Sequence, residues 1–315
     1  MSKPVAPGDA VANPTNVTPI KPEPSPNQAR TKSVANSTPN LKSMIDLLAI
    51  TNSPQTATRL DAINGLRVFV DLERNGKAER QRGRNSFIST HTVEDIGAVK
   101  AVLKRAKLMV RVNPYLADDQ AACAVELDAV LAQGADMIML PMFKNALELH
   151  GFARQVDGRA PIVALLETAG ALNSLDEWIA TPGLCEVFVG LNDLHLSLGC
   201  SFMFEPLAAG LVERVAIAAT AHGLRFGFGG IARLDEGALP GRDVLAEHVR
   251  LGSNAVILSR TFNRVDSLKT VEQAINELRS CEAALALRSC IETTEDQTRI
   301  AALIEHIAAG LGVIS

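Results

Sequence analysis

The sequence predicts an α/β protein of the (β/α)8 type, a TIM barrel. Three observations predict it. Short apolar runs alternate eight times with amphipathic stretches between residues 41 and 265, the pattern of parallel strands joined by covering helices. The runs are almost continuously apolar, as strands covered on both faces are. Gly134, Gly223 and Gly252 each close an amphipathic stretch just ahead of the next run, where helix C-caps favour glycine.

In chain order the expected strands are Met44–Ala49, Leu66–Leu72, Leu108–Val112, Met137–Leu140, Ile162–Leu166, Val187–Val189, Arg225–Phe228 and Ala255–Leu258. Between them the helical period predicts Thr56–Ile63, Val93–Ala106, Asp119–Gln133, Asn145–Val156, Leu175–Ala180, Leu207–His222 and Val244–Leu251. An open doubly wound sheet is the competing fold. It normally carries a Gly-rich phosphate turn after the first strand, and Thr51-Asn-Ser-Pro54 is no such turn. Gly227, Gly229 and Gly230 fall late in the chain and mark close backbone approach at a strand end.

Residues 1–40 are rich in Pro, Ser, Thr, Asn and Lys and poor in large apolar groups. Such a segment buries too little surface to offset its ordering entropy, so a disordered tail is expected. The barrel domain is expected over 41–265. Residues 266–315 read as extra C-terminal helices, Val271–Leu287 and Gln297–Leu311, packed on the barrel or on a neighbouring subunit.

A net charge of -4 and a pI near 5.9 argue against nucleic acid or anionic membrane as the main partner. The chain has no apolar run of membrane-spanning length and no signal-peptide layout at its N-terminus. Its five cysteines are scattered without CxxC pairing, which fits reduced thiols and a cytoplasmic location.

Polar residues gather at the carboxyl ends of the expected strands, where α/β active sites lie. The second strand ends in Val70-Asp-Leu-Glu73 and the third in Val110-Arg-Val-Asn113. Glu167 closes the fifth, and Asp193 closes the run through the sixth. Two carboxylates at adjacent strand ends suit a hard cation such as Mg²⁺ or Mn²⁺, with water and substrate filling its other positions. Both also fit the bland role of acids at a helix start. Beside a cation, Arg111 can hold a carboxylate or a developing enolate oxygen; its other reading is a structural ion-pair partner. Metal and guanidinium together stabilise an enolate formed when a C–C bond beside a carbonyl is made or cleaved. A Schiff-base aldolase needs a strand-borne Lys, and none of the eight runs supplies one.

These residues also resemble a known family. Arg111-Val-Asn113, Ile138-Met-Leu-Pro141, Leu165-Leu-Glu-Thr168 and Val189-Gly-Leu-Asn-Asp-Leu194 resemble, in order, blocks of the HpcH/HpaI aldolase and citrate lyase beta-subunit family. That family lies in the phosphoenolpyruvate/pyruvate-binding barrel superfamily. The resemblance implies Glu167 and Asp193 as Mg²⁺ ligands and Arg111 on a pyruvate-like or acyl-enolate oxygen. It also implies Asp71 and Glu73 near the metal through water, and Asn113, Pro141, Gly190 and Asn192 beside a small anionic keto-acid or acyl substrate. With His91, a candidate from its own place in the sequence, Arg111, Asp71 and Glu73 make the expected catalytic set. A homotrimer or homohexamer is the implied assembly. The implied activity is a metal-dependent carbon–carbon lyase of the aldolase type. A metal-dependent hydrolase or phosphate-ester enzyme and a non-catalytic binding barrel are the alternatives.

Two departures qualify the resemblance. The Arg-Ser pair and Phe-Val-Pro strand end of the citrate lyase branch are missing from Met44–Thr51, which weighs against coenzyme A thioesters. The His that the pyruvate-aldolase branch places after the second strand is replaced by Arg74-Asn-Gly-Lys, leaving His91 as the nearest acid/base candidate. Two readings stay open for Asp71 and Glu73, an outer ligand held through water and a loop cap. They stay open too for His195, beside the acidic motif, and for the basic cluster Arg80, Arg82 and Arg84, an anion site or a solvated loop.

Overall fold

The computed structural model describes residues 44–76, 89–263 and 270–312. The expected tail over 1–40, the cluster Arg80, Arg82 and Arg84, and the join at 265–266 lie outside the described residues. In chain order the elements are β1 (Asp46–Ile50), α1 (Pro54–Asp61), β2 (Leu66–Asp71), α2 (Val93–Lys100), β3 (Lys107–Arg111), α3 (Gln120–Ala132) and β4 (Met137–Leu140). There follow α4 (Ala146–Val156), β5 (Ile162–Leu166), α5 (Ala169–Asn173), α6 (Leu175–Trp178), β6 (Leu184–Val189), α7 (Leu191–Ser197), α8 (Glu205–Ala208) and α9 (Leu211–Ala221). The series ends with β7 (Arg225–Ile231), α10 (Gly241–Arg250), β8 (Ala255–Leu258), a 3-10 turn (Arg260–Asn263), α11 (Val271–Ala286) and α12 (Cys290–Gly312).

The eight strands pair in sequence order, all parallel, and β1 closes on β8. This is the predicted (β/α)8 barrel. Two expected helices are shorter than their apolar period. Gly210, at φ 74, splits the expected Leu207–His222 into α8 and α9. After α2 the Asp61 carboxylate accepts the backbone N–H groups of Lys104, Arg105 and Ala106 at 2.7–3.1 Å, and a turn replaces the rest of the expected Val93–Ala106 helix.

Inside the barrel Leu48, Phe69, Met109, Met139, Val163, Leu165, Phe188 and Ala255 form one dry cluster. At β7 the corresponding position is Gly227, where an added Cβ would lie 2.8 Å from the Phe188 ring. Side chains two apart on a strand share a face, so the inward rows extend to both ends of the barrel. Toward the strand N-termini, Arg67 binds Glu186 (3.0 Å) and Asp46 (3.2 Å), and Arg225 binds the same two acids (3.2 and 2.7 Å). This ion-paired layer ties β1, β2, β6 and β7 together below the apolar one. At the other end the rows continue as Asp71, Arg111 and Glu167. The C-terminal helices pack on this frame, α11 against α10 and α12 against α8 and α10.

Candidate active site

Asp71 follows Phe69 by two residues, Arg111 follows Met109, and Glu167 follows Leu165, so all three rise from the apolar floor at the C-terminal mouth. The Arg111 guanidinium lies over the Phe69 ring, its carbon 5.6 Å from the centroid. Its Nε donates to Asp71 Oδ1 at 2.9 Å and its Nη2 to Oδ2 at 2.8 Å. Nη1 stands 3.4 Å from Glu73 Oε2. Burial opposes charge on this guanidinium, but Asp71, Glu73 and Glu167 outweigh it and hold its proton more tightly than usual. Two of the five guanidinium N–H groups are committed to Asp71, and Nη1 faces Glu73.

Glu167 is 2% exposed and follows β5 directly. It does not cap a helix; Thr168 does, accepting from the Ala171 N–H. Glu167 Oε1 accepts the Met142 N–H at 3.1 Å. Oε2 lies against Gly190, where an added Cβ would sit 2.7 Å from that oxygen and 2.9 Å from the Glu167 Cβ. Asp193 differs from expectation. β6 stops at Val189, Gly190 is the N-cap of α7, and Asp193 falls in its first turn. The turn carrying Glu167 is laced to α7 by Gly190 N–H to Leu166 O (2.9 Å) and Ala169 N–H to Ser197 Oγ (2.8 Å). The helix bearing one acid thus starts against the side chain of the other.

Other expected residues serve as braces. Asn113 Oδ1 accepts the N–H groups of Arg74 (2.9 Å) and Asn75 (3.1 Å), while its Nδ2 donates to Glu126 at 2.8 Å. Burial raises the Glu126 pKa, against the hydrogen bonds from Asn113. His91 is buried, and its Nδ1 accepts the Asp71 N–H at 3.1 Å. In that state the neutral ring carries its proton on Nε2. Arg74 Nη2 donates to the His91 carbonyl at 2.8 Å. Asp71 Oδ1 also accepts the Glu73 N–H at 3.1 Å, the loop-capping contact left open by the sequence. Pro141 is buried at the end of β4, Asn192 is exposed on α7, and buried His195 uses Nδ1 to bond the Leu191 carbonyl at 3.0 Å.

The donor set suits a hard divalent cation. Among the described residues no three His, Cys, Asp or Glu side chains gather as a closed cage. Mg²⁺ needs none, because it is commonly held by one or two carboxylates with water and substrate oxygens. The Gly190 cradle leaves room for the Glu167 carboxylate, and the adjoining helix carries a second one. Glu126 carries no signal in the sequence, and Met142 shows there only as the close of the fourth strand. The first acts through a contact 13 residues away, and no residue-type signal marks a left-handed methionine.

Comparison with known proteins gives the family and the fold. Residues 51–227 match the family model described as HpcH/HpaI aldolase/citrate lyase. A (3S)-malyl-CoA thioesterase of Cereibacter sphaeroides is 36% identical over 101 residues, 31% of this chain and 35% of that protein. The match therefore spans about a third of that relative's length. An HpcH/HpaI aldolase/citrate lyase family protein from Burkholderia cenocepacia superposes with a TM-score of 0.56 at 16% identity, covering 76% of this chain and 95% of that one. Protein CitE of Mycobacterium tuberculosis, in complex with magnesium, acetoacetate and coenzyme A, gives 0.52 at 17% identity, covering 83% and 88%. At these identities the structural likeness concerns the fold.

Proposed function

The chain belongs to the HpcH/HpaI aldolase/citrate lyase family, and from that premise we propose that it is a divalent-metal-dependent carbon–carbon lyase acting on a small anionic keto acid or acyl substrate. One observation carries the reading. A charged arginine, aligned by two acids, shares the barrel mouth with a buried glutamate that is packed against the helix bearing Asp193.

Glu167 and Asp193 would hold Mg²⁺ or Mn²⁺, which supplies fixed positive charge beside the substrate carbonyl. Asp71 and Glu73 set the plane of the Arg111 guanidinium. Arg111 directs its remaining donors at the oxygen that gains charge as the adjacent C–C bond breaks. Both acids sit on one rigid frame of strand end and helix start, which keeps that oxygen in register with the arginine. The active form is proposed as a cytoplasmic homotrimer or homohexamer.

A thioester hydrolase is the second reading, favoured by the malyl-CoA thioesterase match over 101 residues. Two assays separate them. The lyase reading expects pyruvate release from hydroxy-keto acids, followed with coupled lactate dehydrogenase. The hydrolase reading expects free thiol from an acyl-CoA without pyruvate. Either activity should vanish in excess chelator and return with Mg²⁺ or Mn²⁺. Full turnover in chelator refutes the metal site.

A further inference from the structure

We propose that Met142 and Gly190 are positioning residues for Glu167, one fixing its Oε1 and the other making the room in which its Oε2 lies. This rests on the reading of Glu167 as a metal ligand. Met142 has φ 58, and among the described residues it shares positive φ outside glycine only with Asp157. Asp157 is a helix C-cap, where a left-handed residue is ordinary. Met142 ends no helix, and methionine has no short polar side chain to favour that conformation.

Its surroundings impose the conformation. Before it stands buried Pro141, whose ring fixes its own φ. After it Phe143 is buried edge-on against Trp178, with ring centroids 5.1 Å apart. The Phe143 carbonyl accepts from Thr168 Oγ1 at 2.7 Å, so the residue after Glu167 grips the residue after Met142. Held this way, the turn aims the Met142 N–H at Glu167 Oε1, 3.1 Å away. Backbone strain that persists without a local reason collects at functional sites. Here its product is one oriented hydrogen bond to one carboxylate oxygen.

Gly190 acts on the other oxygen. An added Cβ would approach both Oε2 and the Glu167 Cβ within 3.0 Å. The second contact lies near the root of the side chain, so rotation of the carboxylate alone does not relieve it. Any larger residue there displaces Glu167 from its place beside α7.

The test is Mn²⁺ titration by calorimetry on the full chain, with folding checked by circular dichroism. Wild type should bind. Met142→Ile places a β-branched residue where left-handed φ is a genuine outlier and should weaken Mn²⁺ affinity by about tenfold or more, as loss of a partner that orients a ligand does. Gly190→Ala should lose affinity to the same degree. Met142→Gly keeps the N–H and tolerates the conformation, so it should bind within about threefold of wild type. Native-like Met142→Ile and Gly190→Ala proteins with wild-type affinity would overturn the proposal. If Met142→Ile does not fold, Gly190→Ala decides alone. Absence of Mn²⁺ binding by wild type instead refutes the metal reading on which the proposal rests.

Discussion

Asp71 and Arg111 face each other across β2 and β3 as a two-point ion pair, with Nε on Oδ1 and Nη2 on Oδ2 at 2.9 and 2.8 Å. The two residues are partners in the strand register. The pair fixes the guanidinium plane over Phe69, with Nη1 turned to Glu73. Lysine keeps the charge but cannot make parallel bonds. Arg111→Lys should fold and bind metal yet lose about 10²–10³ in turnover, the usual cost of one preorganised donor. Arg111→Met removes the cation paired with two buried carboxylates and should cost about 3–5 kcal/mol of stability in urea unfolding. Near-normal turnover of the lysine variant would remove Arg111 from the chemistry.

Asn113 ties Arg74 and Asn75 to Glu126. Its amide is spent on the loop that follows β2, so its loss should alter loop placement more than chemistry. Asn113→Ala is expected to raise KM several-fold while Mn²⁺ affinity stays at the wild-type value. An equal fall in metal affinity would place Asn113 in the metal site itself.

The sequence offers His91 as an acid/base candidate, and the structure gives its Nδ1 to the Asp71 N–H. Asn offers an acceptor at a similar place. His91→Asn should therefore lose less than about tenfold in kcat, whereas removal of a general acid or base typically costs about 10²–10⁴. A loss in the larger range, with a vanished limb in the pH–rate profile, would restore the catalytic role.

The sequence reading worked where side-chain period and burial coincide. Alternation along β2, β3 and β5 carries Asp71, Arg111 and Glu167 inward because each sits two residues past an apolar partner. It failed where the chain leaves regular structure. Asp193 belongs to a helix that starts one residue after β6, and four apolar and polar residues in a row do not distinguish a strand end from a first helical turn. The left-handed Met142 is imposed by Phe143, Thr168 and Glu167, contacts 25 residues apart for the two hydrogen bonds. The break at Gly210 was within reach of the sequence, since a glycine inside a helical period is a known interruption.

The C-terminal helices expose Leu287 (86%), Ile291 (71%) and Leu311 (45%). Where such groups gather into one patch they mark subunit contacts. Light scattering at micromolar concentration should give a trimer or hexamer mass, and Ile291→Glu should lower it. A monomer mass for the wild type refutes the expected assembly.

His248 ties stability to acid. It is fully buried on α10, stacked on Phe228 with centroids 3.7 Å apart and planes at 4°. Its Nδ1 lies 2.8 Å from Ser253 Oγ, which itself donates to the Ala255 carbonyl at 3.1 Å. Nδ1 therefore carries the proton, and a second proton would have to enter at Nε2, which is buried and has no hydrogen-bond partner among the described residues. Burial pushes the pKa down to about 3. In the unfolded chain a histidine takes its proton near pH ~6.5. Between those values the unfolded state binds more protons, so the stability that neutral His248 supports is full above ~6.5 and drains as pH falls toward 3. At mid-range the slope from this one group approaches about 1.4 kcal/mol per pH unit. Urea unfolding of wild type and His248→Leu at a series of pH values isolates it. The variant should lose stability more slowly on acidification, and identical slopes for the two proteins would show that His248 is not the group that titrates.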